Sequence, residues 1–177
     1  MSTQTADSNM TALVKRLSAN SALSKLYHEH RDGRPLPSGK ALMNIVELMR
    51  AIVFPGYFGK SNVMLHSLEY PIGANLQEFR ELLVEQVMAG LCFADEKNDD
   101  TKKDCLVSSR RKAEEITDKI LARLPNLQET LATDVEAAYN GDPAAENYGE
   151  IISCYPAIRA LTNYRLAHEL YILGVPL

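Results

Sequence analysis

The residues of this chain whose types could support chemistry are few and widely separated. Asp142 stands directly before Pro143, residues 28–30 read His-Glu-His, and Arg165 and His168 lie three positions apart near the C-terminus. A carboxylate can bind a cation or cap a helix, whereas imidazoles can ligate a metal or carry protons. The spacing around each residue indicates which of these roles its position favours.

Asp142 follows a helix stop and precedes a helix start. The pair Asn140-Gly141 is typical of a helix end, and Asp142-Pro143 is typical of the next beginning. Proline at the first helical position gives up an N–H that has no intrahelical partner, and the aspartate before it can accept from the following N–H groups. From these residues alone, capping is favoured over catalysis for Asp142.

The other polar candidates carry weaker signals. Histidines two apart on a helix point in different directions, so His28 and His30 would not share a metal there, and a surface role is the better interpretation. Arg165 and His168 share one helix face, which predicts an exposed polar face or a local hydrogen-bonded pair. The chain has no P-loop, no dinucleotide-binding glycine turn and no nucleophile elbow.

Three cysteines and several methionines have structural interpretations. Cys92, Cys105 and Cys154 are odd in number and widely spaced, which fits neither a disulfide framework nor a CxxC metal site. We therefore expect reduced thiols in a cytoplasmic protein. We also expect three methionines to fill the hydrophobic core: Met43, Met49 and Met88.

The composition bounds the class of protein. The 177 residues are 46% hydrophobic and 24% charged, typical of one globular domain, and the net charge of -4 gives no electrostatic reason to expect nucleic acid. The N-terminus lacks a basic and then apolar signal, and no apolar run reaches the roughly 18 residues of a membrane span. These features predict a cytoplasmic protein that binds neither nucleic acid nor membrane.

Apolar residues recur at helical spacing along most of the chain and nowhere alternate as in a sheet. We predict an all-α, antiparallel, bundle-like domain of about six to eight helices over residues 11–177, preceded by a disordered N-terminus over residues 1–10. The predicted helices include one capped by Ser38 and running to Phe54, and others over residues 76–93, 103–124, 126–139, 143–152 and 156–173.

Two of the predicted boundaries rest on proline and glycine. Pro125 is expected to separate the helices over 103–124 and 126–139, because a proline in a helix interior removes a hydrogen bond and clashes with the preceding turn. The segment PGYFG over residues 55–59 is expected to form an ordered turn, anchored by Tyr57 and Phe58. Gly174 is expected to end the last helix.

Two segments resemble one known family in their motifs and order. The segment GDPAAENYGEIISCYPAIRALTNYRLAHELYILGVP, over residues 141–176, looks like the end of the N-terminal helical domain of bacterial serine O-acetyltransferases. The segment RPLPSGKALMNIVELMRAIVFPGYFG, over residues 34–59, resembles the corresponding region of one subgroup. The resemblance implies transfer of an acetyl group from acetyl-CoA to L-serine, a step of cysteine biosynthesis.

The same resemblance assigns a role to Asp142. In the family an aspartate at the Asp-Pro-Ala position helps to hold L-serine, in a pocket that also accepts the inhibitor L-cysteine. A carboxylate there would pair with the ammonium group of the amino acid. Asp142 is thus the candidate substrate-binding residue, with capping as a compatible second role, and no catalytic, cofactor-binding or metal-binding residue is assigned.

The catalytic His-Asp pair and acetyl-CoA cleft of the family belong to a left-handed β-helix, of which this chain holds no repeat. The chain alone is therefore expected to be inactive, and His168 is not the catalytic base. The family's contact with O-acetylserine sulfhydrylase uses a C-terminal tail that is also absent here. The resemblance further implies a homo-oligomer, with exposed apolar surface near five residues, Tyr164, Leu170, Tyr171, Ile172 and Leu173.

An alternative function remains open at this point. The chain could be a free-standing all-α interaction or regulatory module that shares the helical domain and has no catalytic activity. A stop codon after Leu177 would favour that module, and continuation into hexapeptide repeats would favour the enzyme.

Overall fold

Six α-helices form the secondary structure of the residues that this computed structural model describes, which are 3–19, 35–58, 67–94 and 102–176. They are α1 (Thr3–Ser18), α2 (Gly39–Val53), α3 (Glu69–Ala94), α4 (Lys102–Gly141), α5 (Tyr148–Cys154) and α6 (Pro156–Ile172). No strand occurs in these ranges, where one isolated bridge joins Pro55 and Phe58. The predicted all-α class is confirmed.

The chain divides into two compact units, residues 1–34 and 35–177. The first contains α1, which begins at Thr3, and the disordered N-terminus over residues 1–10 stays a prediction. Exposed apolar side chains line one face of α1 at helical spacing: Met10, Leu13, Val14 and Leu17. The domain boundary predicted between residues 10 and 11 stays a prediction.

Helix α2 opens the second unit as the sequence predicted. The Ser38 side chain accepts a hydrogen bond from the Ala41 N–H at 3.3 Å and so caps the helix. Its apolar face buries four residues, Ile45, Met49, Ile52 and Val53. The following turn is closed by a hydrogen bond from the Tyr57 N–H to the Phe54 carbonyl at 3.2 Å, with Gly56 at φ 89°. Glycine adopts that backbone conformation without strain.

Helix α4 corrects the prediction of two helices separated by Pro125. It runs without interruption from Lys102 to Gly141 with the proline inside it. The reason is a continuous buried stripe that passes on both sides of the proline, made by Ile116, Ile120, Leu124, Leu127, Leu131 and Val135. A break at Pro125 would take half of this stripe out of the core, which costs more than one lost backbone hydrogen bond.

The core of the second unit forms where α3 packs against α2 and α4, while α5 and α6 pack against α4. Phe79 and Leu83 of α3 are fully buried, as are Leu131 of α4 and Ile158 of α6. Among the methionines, Met49 is buried and Met88 half-buried, whereas Met43 is 63% exposed. The prediction of Met43 as a core residue is therefore wrong.

The end of α6 follows its sequence signal. Gly174 has φ 71°, and the Val175 N–H donates to the Leu170 carbonyl at 3.0 Å. This pattern is a Schellman ending, in which a left-handed glycine satisfies the last carbonyls. Within the four described ranges, every helix is too short or too polar to cross a membrane.

Candidate functional site

Asp142 lies immediately after the carbonyl end of α4 and heads a tight turn. Its backbone carbonyl accepts from the Ala145 N–H at 3.1 Å, and its Oδ1 accepts from the Ala144 N–H at 2.9 Å. Pro143 occupies the second position of this turn, where its fixed φ is favourable. Asp142 therefore stabilises a turn between helices through its side chain and its main chain.

The helix predicted to begin at Pro143 begins five residues later, which corrects the role of Asp142 as a helix cap. The N-cap of α5 is Asn147, whose side chain accepts from the Glu150 N–H at 2.9 Å. Glu150 in turn accepts from the Glu146 N–H at 2.9 Å. This reciprocal pattern resembles a capping box, and the letters Asn-x-x-Glu were the sequence signal for it.

The second oxygen of Asp142 is held by a residue that sequence reasoning missed. The Tyr155 hydroxyl donates to Asp142 Oδ2 at 2.6 Å. Tyr155 lies at the corner between α5 and α6, where it ends one helix and precedes Pro156 at the start of the next. The only signal for it was its place before a proline, which favours an extended backbone but gives no partner for the hydroxyl.

The two hydrogen bonds keep Asp142 ionised. The pKa of Asp142 is lowered, first by the Tyr155 hydroxyl and then by the Ala144 N–H, while desolvation opposes them. The same bond raises the pKa of Tyr155 to about 12. Because the pKa of Asp142 is lower in the folded state, its contribution to stability is present at neutral pH and lost as the pH falls through that lowered pKa.

The electrostatics of this corner favour a bound cation. An ionised carboxylate has about four acceptor positions, of which the described contacts of Asp142 occupy two. The carbonyl end of the 40-residue helix α4 adds partial negative charge next to it. A primary ammonium group, with three N–H donors and one positive charge, matches this arrangement.

The PGYFG turn contributes to the same region. Gly149 of α5 lies against the Tyr57 ring. A Cβ placed on Gly149 would be 3.4 Å from Tyr57 Cε1 and 3.0 Å from Asn147 Oδ1. Beside it, the rings of Tyr139 and Tyr148 lie 4.6 Å apart between centroids. The two segments that carry the family resemblance therefore meet at the start of α5, close in sequence to Asp142.

Arg165 and His168 lie apart from the Asp142 contacts. Arg165 makes a two-pronged ion pair with Asp134 of α4, with Nε to Oδ2 at 2.9 Å and Nη2 to Oδ1 at 2.7 Å. His168 is exposed and stacks on Tyr164 at 5.6 Å between centroids. The interpretation as an exposed or locally paired face fits His168, but it is wrong for Arg165, whose partner lies on another helix.

A second polar cluster that sequence reasoning missed joins α2, the PGYFG turn and α6. Arg50 is only 8% exposed, pairs with Glu47 at 3.0 Å and lies 3.9 Å above the centroid of the Phe58 ring. Arg159 donates to the other oxygen of Glu47 at 2.9 Å. The three-residue spacing of Glu47 and Arg50 on α2 was a signal for part of this cluster.

The predicted apolar surface on α6 is present in part. Tyr164, Tyr171 and Ile172 are 58%, 79% and 53% exposed. Leu170 is 8% exposed and belongs to the core, so its place in that surface is corrected, while Leu173 is half-buried. Leu170 faces inward because it shares one helix face with the buried Leu166.

Metal and thiol chemistry receive little support from the described residues. No group of three or more His, Cys, Asp or Glu residues in them could hold a metal ion. The His28-Glu29-His30 cluster and the Cys105 side chain lie outside the described residues. Cys92 is buried in α3, and Cys154 is exposed beside Tyr155.

Comparison with known proteins gives one relative that matches most of the chain. The protein named "serine acetyltransferase, plasmid" of Synechococcus elongatus is 39% identical over 143 residues, which are 81% of this chain and 44% of that protein. Serine acetyltransferases of Synechocystis sp. and Synechococcus elongatus are 43% and 45% identical over 47 residues, 27% of this chain and 19% of each protein. No family model matches the chain.

These matches confirm the resemblance found in the sequence. The chain spans less than half of the length of the relatives it matches, and the helices of its described part are consistent with the helical domain of that family. An identity of 39% over most of the chain indicates common ancestry rather than a shared composition. The chain is thus a homologue of a part of the serine acetyltransferases over 81% of its own length.

Proposed function

We propose that this chain is the helical part of a serine acetyltransferase and that Asp142 binds the ammonium group of L-serine. The observation that carries the proposal is the Asp142 carboxylate, held by the Tyr155 hydroxyl and the Ala144 N–H beside the carbonyl end of α4. Such a group is ionised at neutral pH and retains acceptor positions for a cation. L-Cysteine carries the same ammonium group, so it would compete at this carboxylate as an inhibitor.

The acetyl-transfer chemistry is assigned to a part of the enzyme other than this chain. Among the described residues, the exposed His168 stacks on Tyr164, and no ion pair joins it to a carboxylate. The role of Asp142 would be to fix the amino end of serine so that the serine hydroxyl meets acetyl-CoA, the co-substrate of the whole enzyme. Binding energy at the ammonium group would position the reacting hydroxyl.

The test is Asp142→Asn in the protein expressed from its complete reading frame. Asparagine keeps the size, and its one side-chain oxygen can accept from the Ala144 N–H while its amide nitrogen donates to the Tyr155 hydroxyl oxygen, but it removes the charge that pairs with ammonium. We expect the KM for L-serine to rise about tenfold or more, with the KM for acetyl-CoA unchanged. Inhibition by L-cysteine should weaken in parallel.

The matched control is Asp118→Asn, because Asp118 is an exposed carboxylate on α4 whose partner is Arg80. It removes the same charge away from the proposed site, and its KM for L-serine should stay within twofold of that of the unaltered protein. Equal KM values for the Asp142 variant and the unaltered protein would overturn the proposal.

The exposed residues of α6 support a second role for this chain, in assembly. A free-standing interaction module, which is the alternative function, would have the same role. Tyr164, Tyr171 and Ile172 form an apolar surface that a partner could cover. We propose that this surface takes part in a homo-oligomer. Light scattering at low micromolar concentration should give the mass of a dimer or a larger assembly. This mass should be lower for Tyr171→Ser. A monomeric mass at all concentrations would contradict the proposed homo-oligomer.

A further inference from the structure

The contact between Tyr155 and Asp142 joins two elements that are separate in the chain. Asp142 belongs to the turn after α4, while Tyr155 occupies the corner between α5 and α6, and their oxygens are 2.6 Å apart. Charge-assisted O–H···O⁻ bonds of this length are among the stronger hydrogen bonds of proteins. The bond therefore connects the proposed substrate carboxylate to the start of the last helix.

The backbone of Tyr155 is held from both sides. Its N–H donates to the Ile151 carbonyl at 3.3 Å, and its carbonyl accepts from the Ile158 N–H at 3.2 Å. Pro156 at the first position of α6 further restricts the backbone of Tyr155 to extended conformations. The hydroxyl thus projects from a corner that is fixed by two helices and a proline.

The carboxylate of Asp142 is held at both of its oxygens by different elements. Oδ1 accepts from the Ala144 N–H of its own turn, and Oδ2 accepts from Tyr155. With both oxygens held, rotation of the carboxylate about its Cβ–Cγ bond would break one of the two bonds. A group fixed in this way loses less conformational freedom when a ligand binds to it.

We propose that Tyr155 is a positioning residue for substrate recognition: its hydroxyl fixes Asp142 so that the remaining acceptor positions face the ammonium group of the amino acid. This inference rests on the proposed function of Asp142 and adds to it a residue that acts through Asp142 without touching the substrate. It also predicts that serine recognition depends on the α5–α6 corner as well as on the turn after α4.

The experiment compares Tyr155→Phe with Tyr148→Phe in the protein expressed from its complete reading frame. Both changes remove one phenol oxygen near the same turn, but the Tyr148 ring lies against Tyr139 and is half exposed. For Tyr155→Phe we expect the KM for L-serine to rise about fivefold, with kcat and the KM for acetyl-CoA within twofold. For Tyr148→Phe all three constants should stay within twofold.

The pH profile separates positioning from a purely structural role. The Tyr155 hydroxyl is the largest cause of the lowered pKa of Asp142, so its removal raises that pKa. The acid limb of kcat/KM for L-serine should therefore move to higher pH in Tyr155→Phe, and the carboxyl ¹³C resonance of Asp142 should titrate at the same higher pH. A KM and an acid limb equal to those of the unaltered protein would overturn the inference.

A second variant keeps the inference testable if Tyr155→Phe fails to fold. Asp142→Glu retains the negative charge but moves it by one methylene, away from the Tyr155 hydroxyl and the Ala144 N–H. We expect a rise of about fivefold or more in the KM for L-serine, and an unchanged KM would overturn the positioning role. If Asp142→Asn leaves this KM unchanged, the proposed function itself fails, whereas an effect of Asp142→Asn without one of Tyr155→Phe refutes only the role of Tyr155.

Discussion

Replacing Arg165 with alanine is expected to lower the free energy of unfolding by about 3 kcal/mol. The guanidinium binds both oxygens of Asp134, and the two side chains are only 23% and 18% exposed. Removal of the arginine leaves a largely buried carboxylate without its charged partner, and desolvation makes that expensive. The shift can be measured by urea denaturation followed by circular dichroism.

The control is Arg111→Ala on the exposed side of α4. Arg111 is 81% exposed and lies 3.9 Å from Glu115, so the loss of this pair should change the stability by less than about 0.5 kcal/mol. The double change Arg165→Met with Asp134→Leu should restore most of the stability, because it leaves no unpaired charge. If Arg165→Ala and Arg111→Ala lowered the free energy of unfolding equally, the Arg165–Asp134 ion pair would contribute no more to stability than an exposed ion pair.

Replacing Pro125 with alanine is expected to stabilise the protein by about 2 kcal/mol. Pro125 is exposed inside the continuous helix α4, where it has no N–H for the Leu121 carbonyl and its ring crowds the preceding turn. Alanine restores that hydrogen bond and has the highest helix propensity. The greater freedom of alanine in the unfolded chain offsets part of this gain. Thermal and urea denaturation would measure the change.

The opposite sign is expected for Pro143→Ala, which serves as the matched control. Pro143 lies in the turn headed by Asp142, where its fixed φ suits the second turn position, so alanine should cost about 0.5 to 1 kcal/mol. If Pro125→Ala were destabilising, the proline would have to be favourable at its position. That result would support the two separate helices that the sequence predicted and would contradict a continuous α4.

Much of the fold could be predicted because its signals are local. The start of α2 at Ser38 and the end of α6 at Gly174 depend on hydrogen bonds within a few residues, and both predictions are confirmed. Helical spacing of apolar residues likewise predicted the all-α class. The break at Pro125 was wrong because proline affects one backbone bond, whereas the buried stripe of α4 involves contacts with other helices.

Less of the candidate site could be predicted. Asp142 was identified from the Asp-Pro-Ala motif and the family resemblance, yet its helix-capping role was wrong, since Asn147 caps α5. Tyr155 was missed although it is only 13 residues away, because no local pattern relates a phenol to a carboxylate at that separation. The binding of L-serine by Asp142 stays a prediction until the Asp142 variants are measured.

The sequence by itself determined the ends of α2 and α6, the all-α class and the relationship to serine acetyltransferases, since propensity, caps and motifs depend on neighbouring residues. Only the tertiary structure decided the partners of the polar side chains. It placed Asp134 against Arg165, Tyr155 against Asp142, and Glu47 between Arg50 and Arg159. The physical reason is that burial and charge pairing depend on which helix faces meet, and that is settled by packing of the whole core.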